Sequence, residues 1–192
     1  MADISVMTEI TETTERLHPA LERFVLHWGD MGGQWGVNRS VSQIHALLYV
    51  SDTALTAEEI AAKLGMARSN VSNSIKELMA WDLIRRVPLR GDRREHFEAE
   101  TDVWEMVTRI AKGRKAREID PALAMLRASV AAAGSDPSVH PVAVARLKAM
   151  LAFTETVDTW YGQMLGVPKA KLAIALRLGA KLISFIPAGK SK

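Results

Sequence analysis

With 192 residues, 48% of them hydrophobic and 24% charged, the chain has the makeup of an ordinary globular protein large enough to bury a real core. It has no cysteine, which excludes disulfides, thiolate metal sites and a cysteine nucleophile. The net charge is only +3 although the pI is about 9.3, so the placement of the cations matters more than their surplus.

Met1 to Glu15 is polar and acidic, the wrong chemistry for a signal peptide. Ala170 to Ile186, the most apolar stretch, is interrupted by Lys171, Arg177 and Lys181 and is shorter than a membrane span requires. A cytoplasmic protein without a membrane partner is expected.

In chain order, Ile4 to Trp28 places Met7, Ile10, Thr14, Leu17, Leu21, Phe24 and Trp28 at alternating spacings of three and four. This is a heptad-like seam that predicts a long first helix and a partner helix to cover it. The glycines of Gly29 to Asn38 are expected to break that helix. Ser40 is the expected cap of a second helix, reaching about Val50 with Val41, Ile44, Leu47 and Leu48 inward. Thr56 and Glu59, three apart, form a capping box for a third helix ending at Leu64.

A fourth helix is predicted over about 68–81. Two strands, Leu83 to Pro88 and Arg94 to Ala99, then flank a basic hairpin tip. Asp102 and Glu105 form a second possible capping box, opening a helix towards Glu118; Pro121 restarts it, to about Ala133. A break at Ala132 to Pro137 precedes a long helix from Pro141 to Leu165, and Pro168 opens a last helix to about Ile186.

The strongest pattern runs from Ile60 to Leu78. Ile60, Leu64, Val71, Ile75 and Leu78 fall on one helical face, Ala61 is small where two helices cross, and Gly65 permits a left-handed turn between them. These are the parts of a helix-turn-helix. The outer face of the second helix then carries Arg68, Ser69, Asn70, Ser72, Asn73 and Lys76, hydrogen-bonding side chains placed where a recognition helix reaches base edges.

Arg85, Arg86, Arg90, Arg93 and Arg94 crowd the hairpin. Arg90, Arg93 and Arg94 at its tip are placed for the minor groove or flanking phosphates. Asp92 among them can hold a neighbouring guanidinium in a fixed orientation. Arg85 and Arg86 face opposite ways on their strand, so at most one shares that surface.

From Val41 to about Trp104 the chain resembles the winged-helix domain of the MarR superfamily, and Gly91-Asp92-Arg93-Arg94 is similar to that family's acidic-x-Arg wing motif. The likeness is closer to the GbsR/MarR-type regulators. It is carried by Leu64-Gly65, Asn70-Val71-Ser72, Glu77-Leu78, Trp81, Arg85-Arg86-Val87 and the run from Gly91 to Ala99.

This resemblance implies a mainly α fold: a winged helix-turn-helix domain with a two-stranded β wing, flanked by long N- and C-terminal dimerisation helices. The expected division is 1–38 for the first helix and glycine-rich loop, 39–101 for the winged domain and 102–192 for C-terminal dimerisation helices. Ala67 departs from the Ser or Thr such families place as cap of the recognition helix, so Ser69 is a candidate replacement.

Two flanking helices carry more apolar surface than a small winged domain can cover, including Val144, Leu147, Met150, Leu151, Phe153, Val157, Trp160, Tyr161, Met164 and Leu165, then Leu172 to Ile186. A second copy of the chain is the economical cover. The basic tail with Lys169, Lys171, Arg177, Lys181, Lys190 and Lys192 either adds DNA contacts or complements the helix C-terminus. Some relatives in the resembled family respond to choline; Trp28, Trp35, Trp104, Trp160 and Tyr161 are the candidate aromatic cage for such an effector.

The expected function is therefore sequence-specific DNA binding by a homodimeric transcriptional regulator, a repressor in the first instance, with double-stranded DNA and a small-molecule effector as partners. Neither cofactor nor metal is expected, because the five histidines are scattered without ligand spacing. An enzyme is disfavoured by the lack of a glycine-rich nucleotide loop or a nucleophile-elbow serine. The alternative is a winged-helix module that binds protein, which would need apolar anchors on the outer face of the recognition helix.

Overall fold

The structure is a computed structural model that describes residues 17–179. Two compact units divide between Ile110 and Ala111. The first contains α1 (Pro19–Gln34), α2 (Arg39–Val50), β1 (Leu55–Thr56), α3 (Ala57–Leu64), α4 (Arg68–Ala80), β2 (Ile84–Val87), β3 (His96–Ala99) and the first two turns of α5 (Val103–Arg114).

α2 is the centre of this unit. Every residue from Val41 to Leu48 is buried, not only the predicted Val41, Ile44, Leu47 and Leu48. Ile60 from α3, Val71, Ile75 and Leu78 from α4, and Leu83, Ile84 and Phe97 around the sheet complete the core. These positions recur at helical spacing because only that period puts them on one face. At roughly 1.5–3 kcal/mol for each large apolar side chain, their burial is the main force holding the unit together.

α1 does not break at Gly29; it continues through Gln34, and Gly36 with φ +77° makes the turn. The glycines are contact surface here. A Cβ on Gly29 would run into Gln43, and one on Gly32 into the Ser42 hydroxyl, so the two helices approach backbone to side chain. The buried face of α1 is accordingly Val25, Gly29 and Gly32, with Phe24 and Trp28 partly covered and Leu21 exposed. Met7, Ile10 and Thr14 of the expected seam lie outside the described residues.

Asn38, and not Ser40, caps α2: its Oδ1 accepts from the Ser40 backbone N–H at 2.8 Å. The Thr56–Glu59 box is formed in both directions, at 2.7 Å from the Thr56 N–H to the Glu59 carboxylate and 3.2 Å from the Glu59 N–H to the Thr56 hydroxyl. That same bond from the Thr56 N–H holds the Glu59 carboxyl below its ordinary range.

The wing is part of a three-stranded antiparallel sheet in the order β1-β3-β2, with Leu55 opposite Phe97 and Arg86 also opposite Phe97 on its other side. The expected two-stranded wing therefore lacks β1. A two-residue strand is too short for period-two patterning to reveal. β2 and β3 are also shorter than expected, since Pro88 has no N–H to extend the ladder.

The second unit holds the end of α5, a π-helical turn (Lys115–Ile119), α6 (Asp120–Ser135), α7 (Pro141–Gly166) and α8 (Lys169–Leu178). Pro121 does not restart a helix after a gap. The wide π turn before it lets the chain stay helical from Val103 to Ser135 although Pro121 cannot donate a backbone hydrogen bond. The expected break thus begins only at Asp136.

Leu123 and Leu126 of α6 are buried, and Arg127 pairs with Glu155 of α7 at 3.1 Å. Lys115 on the π turn binds Asp120 at 2.5 Å and Asp158 at 2.7 Å. Pro168 stands at the N-cap position of α8 without a side-chain capping bond, and the expected extension beyond Gly179 lies outside the described residues. No helix among the described residues is long and apolar enough to cross a membrane.

Candidate nucleic-acid interface

α3 and α4 meet at a tight corner. Gly65, with φ +61°, adopts the left-handed conformation that ends α3, and its N–H returns to the Ala62 carbonyl while Met66 N–H reaches Ala61. Ala61 is buried at this corner, where a larger side chain would separate the helices. Val71, Ser74, Ile75 and Leu78 then anchor α4 to α2 and α3.

With that face buried, Arg68, Ser69, Asn70, Ser72, Asn73 and Lys76 are all exposed. Ser69 does not replace the missing cap: Ala67 is the N-cap residue and no side chain bonds to the start of α4. A serine in the second helical position points outward, while a cap must precede the first turn. Asn70 Nδ2 donates to the Ser40 hydroxyl at 2.8 Å.

The wing tip turns at Gly91, φ +86°, and leaves Arg90 and Arg93 exposed. Arg94 is held by Asp92 through a two-pronged contact, with Nε at 3.1 and 3.0 Å from the two carboxylate oxygens and Nη2 at 2.5 Å from Oδ2. The Arg94 backbone N–H also donates to Asp92, at 2.9 Å. These bonds push the Asp92 carboxyl down to about 2 and the Arg94 guanidinium up. His96, buried beneath, contacts the Arg94 carbonyl through Nδ1 at 3.0 Å.

A groove of about 300 Å³ runs between α4 and the wing, and Ser72, Lys76, Arg86 and Arg94 line it together. Strand alternation alone does not say which of Arg85 and Arg86 shares this surface. Antiparallel partners share a face, and Arg86 stands opposite Phe97, which lines the same groove, whereas Arg85 stands opposite Glu98 on the other face. Register was the missing signal. Arg85 pairs with Glu98 at 2.5 Å and Arg86 with Glu95 at 2.7 Å.

The aromatic residues considered for a cage fall in different units. Trp28 packs on the core beside Phe24, ring centroids 5.6 Å apart; Trp35 is 64% exposed at the end of α1; and Trp104 is half-buried on α5. In the second unit Trp160 stands edge-on to Tyr161 at 6.5 Å, and the Tyr161 hydroxyl donates to the Ala111 carbonyl.

A helix-turn-helix whose second helix is followed by a β-hairpin wing defines this unit as a winged helix-turn-helix domain. Residues 35–95 match the family model described as MarR family.

Over 85 residues the chain is 27% identical to the HTH-type transcriptional repressor GbsR of Bacillus subtilis, covering 44% of this chain and 47% of that protein. The chain thus matches only about half the length of this curated relative. A solved structure described as a transcriptional regulator shares the fold, with a TM-score of 0.61 at 20% identity over 77% of this chain and 97% of that one.

Proposed function

We propose that the chain is a DNA-binding transcriptional regulator, not an enzyme, acting as a homodimer on a pseudo-palindromic operator. α4 lies in the major groove and the 89–94 wing lies on the minor groove or flanking phosphates. The observation that carries this reading is the shared groove: Lys76 of α4, Arg86 of β2 and the pre-oriented Arg94 of the wing line one surface beside the exposed polar face of α4. Cations gathered on one surface can meet a phosphate backbone, although Glu58 and Glu95 line the same groove and Glu95 pairs with Arg86, while exposed Asn and Ser side chains can reach base edges. A protein-binding module would need exposed apolar anchors on this face, and α4 presents none there.

The homodimer is supported by the second unit. α7 buries no residue within its own chain, and Met150, Phe153 and Trp160 are 58%, 70% and 57% exposed. On α8, Ile174 and Leu176 are 56% and 71% exposed. Apolar surface of this extent is a protein contact in a soluble chain. Repression is the sense favoured by the GbsR relative.

A hydroxyl-radical footprint on the DNA upstream of the chain's own reading frame tests the reading. Two protected half-sites about one helical turn, roughly 10 base pairs, apart are expected. One protected half-site would contradict the dimer, and none would contradict DNA recognition.

A further inference from the structure

We propose that Ser40 is a positioning residue for base readout, holding the Asn70 amide of α4 in the orientation in which it meets a base edge. This inference rests on the DNA-binding reading above and assigns a role to a residue outside the recognition helix and the wing. Ser40 is the second residue of α2, half-buried, with its backbone N–H bound to the Asn38 cap at 2.8 Å. It sits in the first turn of the helix that forms the centre of the core, so its backbone is held in place. Its hydroxyl lies 2.8 Å from Nδ2 of Asn70, thirty residues further along the chain.

Asn70 needs such a partner. It is the third residue of α4, at the end of the helix where bases are reached, and it is exposed. An exposed asparagine samples several χ1 wells and a broad χ2, so an untethered amide would be ordered only on binding, at a cost to affinity. The amide has two N–H donors and one carbonyl. The bond to Ser40 uses one donor and leaves the other together with Oδ1. That is the pair which meets adenine N7 and N6–H2 in the major groove. Ser40 touches no base in this scheme; it acts through Asn70.

The test is a double-mutant cycle on the full chain, read as affinity for the footprinted operator and for random duplex DNA. Ser40→Ala is expected to weaken operator binding about 3- to 10-fold, the worth of one hydrogen bond, and to change random-DNA binding less than about twofold. Ser40→Thr keeps the hydroxyl and retains operator affinity. In an Asn70→Ala background, Ser40→Ala costs nothing further. Losses that multiply in the double variant, or that fall equally on random DNA, would overturn the proposal, because Ser40 would then be acting on phosphate or on the fold. A wild-type chain with no operator preference would overturn the DNA-binding reading itself, a different result from an additive cycle on a working operator.

Discussion

Arg94 meets solvent already aimed, because the Asp92 carboxylate grips its guanidinium at 2.5 to 3.1 Å and anchors its backbone N–H as well. An exposed ion pair of this kind adds little to stability; its effect is to reduce the freedom that a DNA contact would otherwise remove. Arg94→Ala is therefore expected to weaken operator and random DNA alike and to lower the salt slope by about one unit. An unchanged slope would remove Arg94 from the phosphate contacts. His45 makes a different prediction, about the fold. It is buried in α2 with no partner for Nε2 among the described residues, and burial lowers its pKa from 6.5 to about 4. Between those values the unfolded chain binds a proton that the folded chain does not. The His45 contribution to stability is thus fully present above about pH 6.5 and is lost as pH falls towards 4, on the order of 3 kcal/mol. Urea titrations across that window should show this decline, and His45→Leu should flatten it; an equal decline in both proteins would place its origin elsewhere.

The crossing of α1 and α2 is set by glycines that a sequence reading takes for a break. Gly29 and Gly32 face Gln43 and Ser42 with no room for a methyl group, whereas Gly33, on the same helix, has nothing within 4 Å of its Cβ position. Gly32→Ala should destabilise the chain by about 1–3 kcal/mol through overpacking. Gly33→Ala should stabilise it by about 0.5–1 kcal/mol through helix propensity. Equal effects in thermal melts would mean that the helices are not in close contact. The same pair explains what was legible in the sequence. The inner face of the helix-turn-helix and the Thr56–Glu59 box follow from spacing alone, because each is a local pattern within one or two turns. Gly32 against Ser42, Asn70 against Ser40 and Arg86 beside Phe97 are contacts between elements, and no local period encodes them. Pro121 misled for a related reason: a π turn absorbs the missing hydrogen bond that otherwise ends a helix.

Over the whole molecule, the chain pairs a tightly packed winged unit with a helical unit that, among the described residues, leaves Phe153 and Trp160 exposed. The proposed regulator uses both, one to read DNA and the other to bring two readers together. The measurement that tests this account most directly is affinity of the purified chain for its own upstream DNA and for random duplex across a salt series. The account predicts tight binding that weakens steeply with salt and a specificity ratio above about a thousand. Weak binding with the same affinity for both sequences, unaffected by salt, would contradict it.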